Sequence, residues 1–136
     1  MLATYAGKDA ETKAARKFIR ERLTNHMTYR ERLVELAAVP DEDAVKSLTP
    51  DIERWAGLLV KARNNVAHAA KNPANPVELA KLAGLQYALT EVTYALVSII
   101  LMAELGLPVE TQRRAASIQP FAIAAGHFAE AVSQEP

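Results

Sequence analysis

Six consecutive residues, Arg63-Asn64-Asn65-Val66-Ala67-His68, place a permanent cation, two amides and a titratable imidazole side by side. A guanidinium stays charged at every physiological pH and offers a rigid fork of N–H donors that matches an oxyanion. An imidazole, with an ordinary pKa of about 6.5, takes up or releases a proton near neutrality. Arg63 is therefore a candidate charge stabiliser and His68 a candidate general acid or base. Asn64 is placed to orient either the imidazole or the bound anion. Lys61 and Lys71 flank the stretch and extend its positive field.

The element that must position these groups is a helix. Thr49 reads as its N-cap and Pro50 as its first position, with Asp51 and Glu53 at the positive end of the dipole. Ile52, Trp55, Leu59, Ala62, Val66 and Ala69 then alternate in steps of three and four, the seam of a helix packed along its neighbours. Pro73 and Pro76 stop it near Ala70. At about 100° per residue, Arg63 flanks the seam and His68 lies about 140° further round. Between them run Ala56, Val60, Asn64 and Ala67, with Gly57 on the His68 side. Side chains this small let a second helix approach closely. One continuous helix cannot aim Arg63 and His68 in one direction. A symmetric copy of the same helix solves that, because an isologous contact brings each residue to its counterpart's neighbours.

The rest of the chain supplies a frame. Ala15, Phe18, Ile19 and Leu23 predict a first helix over 8–23, rich in Lys and Arg, with a break at Thr24-Asn25-His26. Thr28 and Glu31 form a capping box for a helix from about Tyr29 to Ala38, with Tyr29, Leu33, Leu36 and Ala37 inward and Pro40 ending it. Asp41-Glu42-Asp43 reads as a solvated loop or a short helix start. Asn75 and Pro76 open a long helix to about Leu105, with Leu82, Leu85, Leu89, Val92, Leu96, Ile99 and Ala103 as its seam. Its second half is apolar almost all round and reads as buried on several sides. Gly106 caps it and Pro108 stops it. Further helices are predicted over 109–117 and 121–132. The fold class is all-α: a four-helix up-and-down bundle with a C-terminal helical extension. It forms a single domain over 1–136, core about 8–106 and extension 107–136.

Composition removes several alternatives. Net charge is zero, which weighs against a large nucleic-acid footprint while permitting a small local site. The absence of Cys excludes disulfides, thiol catalysis and thiolate metal sites, and suits a cytoplasmic protein. Residues 1–9 lack a basic segment followed by an apolar run, so no signal peptide is expected. The apolar run Ala95–Ala103 falls short of the ~20 residues of a membrane span, so no membrane association is expected. Three scattered His, at 26, 68 and 127, form no metal-ligand spacing, and no phosphate loop or serine-hydrolase elbow is present. Neither metal nor cofactor is expected. Trp55 sits in the seam and reads as a core anchor.

Arg63-Asn64-x3-His68 resembles the Arg-x4-6-His motif of the HEPN superfamily, in which the residue after Arg is often Asn. The context is similar too: a helix ending in the motif, a short loop, then a long apolar helix closing on Glu104-Leu105-Gly106. The phrase ARNNVAHA is most similar to the Apea-like branch, and the overlap covers about Thr28 to Gly106. The resemblance implies a dimerising bundle that acts as a metal-independent endoribonuclease in phage defence or a toxin–antitoxin-like system, with an antitoxin or sensor as possible partner. It implies a catalytic set of Arg63, Asn64 and His68, with Lys61 and Lys71 helping to hold RNA. Toxins of the superfamily that pair with a small nucleotidyltransferase carry Tyr two residues after His. Ala70 stands there in this chain, so control by modification of that Tyr has no counterpart.

A second reading stays open, in which Arg63 pairs with a carboxylate such as Glu53 or Asp51 of another chain and His68 caps the helix C-terminus. The protein is then a non-catalytic dimerisation, regulatory or ligand-binding module. The small-residue face predicts a dimer in either case. Gel filtration at micromolar concentration checks it, and a monomer would contradict it.

Overall fold

The computed structural model describes residues 27–68 and 76–134, together with Lys13, Ala14, Arg16 and Lys17; for residues 66–68 it gives the helical backbone alone. The rest of the predicted first helix, His26, Lys71 and the expected Asn75 cap lie outside the described residues. The four described residues within 8–23 are helical. Six further helices follow, with no strand among the described residues: α1 Tyr29–Ala37, α2 Glu42–Leu48, α3 Ile52–His68, α4 Pro76–Glu104, α5 Val109–Ser117 and α6 Phe121–Ser133.

Local chemistry accounts for the helix ends. At α1 the Thr28 hydroxyl accepts from the Glu31 N–H, and the Glu31 carboxylate accepts from the Thr28 N–H, so the capping box is complete. Asp41 caps α2 by accepting from the Ala44 N–H at 3.0 Å, which makes the acidic triplet a helix start. The cap of α3 is Asp51, whose carboxylate accepts from the Arg54 N–H at 2.9 Å. The expected cap, Thr49, instead ends α2 and is buried. A carboxylate is the better acceptor at a positive dipole end, and the chain shifts by two residues to use it. Gly106, at φ +75°, closes α4 with a full Schellman motif: its N–H donates to the Ala103 carbonyl, and the Leu107 N–H to that of Met102.

α4 is the core helix. Val92, Leu96 and Ile99 are completely buried along one stripe. Trp55 from α3, Leu48 from α2, Ala116 from α5 and Phe128 from α6 join the same apolar cluster. The Trp55 indole N–H donates to the Thr93 hydroxyl at 3.0 Å, so α3 is fixed to α4 by both packing and a directional bond. By length and composition α4 is apolar enough to cross a membrane. The shortness of the Ala95–Ala103 run therefore decides nothing; burial of the stripe within the bundle is what makes α4 a core helix here. Burial on all sides does not hold, however. Tyr87, Tyr94, Val97 and Leu101 lie exposed on the opposite face. α1 also differs from expectation: Ala37 is buried and Leu33 half-buried, whereas Tyr29 and Leu36 face outward.

The extension is well ordered into this frame. α6 makes its most extensive packing with α4, and the Arg54 guanidinium donates to the Val132 carbonyl at 3.1 Å in its last turn. α5 clamps α2. The buried Gln112 accepts from the Asp41 N–H at 2.9 Å and donates to the Leu107 carbonyl at 3.0 Å. Arg113 donates to both carboxylate oxygens of Asp41, at 2.8 and 2.9 Å, and pairs with Asp43.

Two outcomes follow from that clamp. Gln112→Ala leaves a backbone N–H and a carbonyl without their partner, and denaturant unfolding should show a loss of about 1–3 kcal/mol. The Arg113 guanidinium beside Asp41 holds its carboxyl below the usual carboxylate range. A depressed folded-state pKa contributes stability above the ordinary carboxylate pKa, about 3.9, and loses it as pH falls through the lower folded value. Stability measured against pH should therefore fall less steeply in Arg113→Gln than in the wild type below about pH 4.

Candidate active site

The two halves of α3 have different surroundings. Trp55, Ala56 and Leu58 are buried, and Ile52, Leu59 and Ala62 pack partly against the same core. In the turns that follow, Lys61, Arg63, Asn64 and Asn65 are exposed, while Ala62 among them still packs partly against the core. The helix remains a regular α-helix through its last residue, His68. The polar stretch thus lies on the exposed side of a helix whose other side is packed on the core as far as Ala62.

Arg63 has a specific neighbour. Its guanidinium carbon lies 5.0 Å from the centroid of the Tyr29 ring. Tyr29 begins α1 directly after the Thr28 cap, and Arg30 beside it pairs with Glu53 of α3 at 2.9 Å. That pair and the cap hold the ring in place beneath the cation. The contact acts through the ring quadrupole and consumes no N–H donor, so it steadies the charge while leaving the donor fork for an anion. An inward Tyr29 was expected from the α1 pattern. The ring faces outward because its partner is a cation and not the core.

Asn64 follows Arg63 on the exposed side. Asn65 borders a small crevice between α3 and α4 together with Lys61 and Gln86. Lys61 also lines a much broader groove shared with α4 and α6. His68 closes α3, and its backbone position lies about 140° round the axis from Arg63 and about 7.5 Å along it. Lys71 is outside the described residues. The expected small-residue face is shorter than the sequence suggests. Ala56 is completely buried in the bundle and Val60 half-buried. Of that face Asn64 is exposed, and the Ala67 side chain lies outside the described residues.

Two features escaped the sequence reading. Tyr29 lies 34 residues before Arg63 (63 minus 29), and nothing local marks the pairing. His127 was expected in a sparse C-terminal segment. Its Nδ1 lies 2.9 Å from the Glu91 carboxylate, joining α6 to α4. Hydrogen bonding from His127, and then from Tyr87, holds the Glu91 carboxyl below its ordinary range. Among the described residues no cluster of three or more His, Asp or Glu is placed to hold a metal ion.

The family model described as Apea-like HEPN matches residues 3–111. No curated protein and no solved structure matches the chain. The match ends within α5, so α6 lies beyond it.

The Tyr29 contact yields a direct check. Tyr29→Leu should release the Arg63 guanidinium, seen as a changed side-chain Nε–H resonance, and weaken folding by about 0.5–1 kcal/mol, whereas Tyr29→Phe should preserve both.

Proposed function

The chain belongs to the Apea-like HEPN family, and on that premise we propose that it is a metal-independent endoribonuclease whose catalytic set is Arg63, Asn64 and His68. The observation that carries this reading is the exposure of Arg63 and Asn64 on an α3 that runs on to His68. RNA supplies its own nucleophile. The 2′-OH attacks phosphorus, the O–P bond forms, and the bond to the 5′ oxygen breaks, leaving a 2′,3′-cyclic phosphate and a 5′-OH end. His68 takes the 2′-OH proton or returns one to the leaving oxygen. Arg63, steadied by Tyr29, meets the extra negative charge that builds on the phosphoryl oxygens. Asn64 orients the phosphate or the imidazole, and Lys61 and Lys71 hold the flanking strand.

The unbroken helix also favours a site shared between two chains. Five residues along a regular α-helix separate Arg63 from His68 by more than a quarter-turn, so the two complete each other most simply across a homodimer. Such an enzyme fits a cytoplasmic role in phage defence or a toxin–antitoxin-like system, restrained by an antitoxin or sensor. A second reading, a non-catalytic dimerisation or ligand-binding module, is favoured by the zero net charge of the chain.

A fluorescent RNA assay in EDTA separates the two. The enzyme reading expects cleavage by the wild type and a loss of at least about a hundredfold in His68→Ala and Arg63→Ala. Equal decay in all three proteins, or none in any, would leave the module reading standing.

A further inference from the structure

A second apolar stripe runs along α4, on the side away from the core. Tyr87, Thr90, Tyr94, Val97 and Leu101 alternate in steps of three and four, and Leu79, Ala83 and Leu105 continue the line at its two ends. All eight are exposed, Tyr94 by 69% and Leu105 by 78%. From Leu82 to Ala103 the only charged residue is Glu91, which lies off the stripe and is bonded to His127 and Tyr87. The stripe is ordered although uncovered. Glu91 holds the Tyr87 hydroxyl, and the Tyr94 ring meets Phe121 of α6 edge-on at 6.5 Å. Rings already fixed lose little freedom on docking.

The spacing selects the partner. It is the same read in either direction: four, four, three, four, three, four, four. A two-fold copy laid antiparallel therefore meets the stripe residue for residue: Leu79 with Leu105, Ala83 with Leu101, Tyr87 with Val97, and Thr90 with Tyr94. Three of these pairs set a large side chain against a smaller one, which lets the two helices interlock. No charge on the stripe meets a like charge. With tyrosines of about 150–250 Å² each, the stripe offers on the order of 600 Å². A two-fold contact buries twice that, roughly the 1,200 Å² at which specific interfaces begin. Residues 8–23 of the same chain match the stripe less well: as a helix they span about 24 Å, against about 39 Å from Leu79 to Leu105.

We infer that the outer face of α4 is a self-association surface, pairing antiparallel with α4 of a second copy about a two-fold axis level with Val92. The inference goes beyond the ribonuclease reading and uses none of its residues. α3 lies against a different side of α4, fixed there by Trp55 and Thr93. A chain that also pairs through α3 would join more than two copies.

Gel filtration counts copies without telling which surface joins them, so the test reads register. The chain has no Cys, and Ala83→Cys and Leu101→Cys each introduce one at an exposed position. The two proteins, mixed at micromolar concentration with a short bismaleimide, should cross-link to each other at least about tenfold more than either does to itself, because like positions stand about 27 Å apart along the antiparallel pair. Adding Tyr94→Glu to both should lower that yield about tenfold, since it buries a charge at the centre of the contact. Asn65→Glu, on the exposed side of α3, should leave the yield unchanged. The inference falls if like positions cross-link as well as the mixture does, which a parallel contact would give. It falls equally if no cross-link forms, as when residues 8–23 cover the stripe, or if Tyr94→Glu has no effect. Loss of the cross-link in Asn65→Glu would place the contact on α3 and overturn it as well.

Discussion

Burial of one stripe of α4 governs this structure. Val92, Leu96 and Ile99 are sealed from solvent, and residues of α2, α3, α5 and α6 share the apolar cluster around them. Each such side chain contributes roughly 1.5–3 kcal/mol when fully buried, so the stripe outweighs any surface ion pair in the molecule. The Trp55 to Thr93 hydrogen bond adds register to that attraction, because an indole N–H is satisfied at one axial position and not at its neighbours. α3 is consequently gripped along the face that runs from Ile52 to Ala62. What the grip leaves over is the end that carries Arg63, Asn64 and His68.

That arrangement leaves Arg63, Asn64 and Asn65 exposed on a continuous helix. A helix held along one face can project charged residues without desolvating them, so Arg63 keeps its hydration while Tyr29 limits its wandering. The same geometry limits what one chain can do alone. Ala56 is buried in the bundle and Val60 half-buried, so the small-residue face is not free along its whole length.

Much of this was readable from the residues. The apolar steps of α3 from Ile52 to Ala62 and of α4 from Leu85 to Ile99, the Thr28 and Glu31 box and the Gly106 cap are local signals, and each appears where its pattern placed it; Ala69 and the Val66 side chain lie outside the described residues. The errors have a common origin. Thr49 lost the cap to Asp51 because two acceptable caps stood two residues apart and the carboxylate is the better acceptor at a positive dipole end. Tyr29 and Leu36 read as inward, and the second half of α4 as buried on several sides, because periodicity reports which residues are apolar, not how many neighbours exist to cover them. His127 with Glu91 and Arg113 with Asp41 join residues far apart in sequence, and only the folded chain reveals them. Of the candidate site, the helix and the residue types were legible. The cation resting on Tyr29 was not.

The central claim is that Arg63 and His68 act together, one from each of two chains. Mixing Arg63→Ala protein with His68→Ala protein, after dissociation and reassociation, tests it most directly. A site completed across the dimer leaves one intact Arg63–His68 pair in every mixed dimer, so the mixture should recover about a quarter of wild-type RNA cleavage although each variant alone is inactive. No recovery, with mixed dimers shown to have formed, would contradict the account.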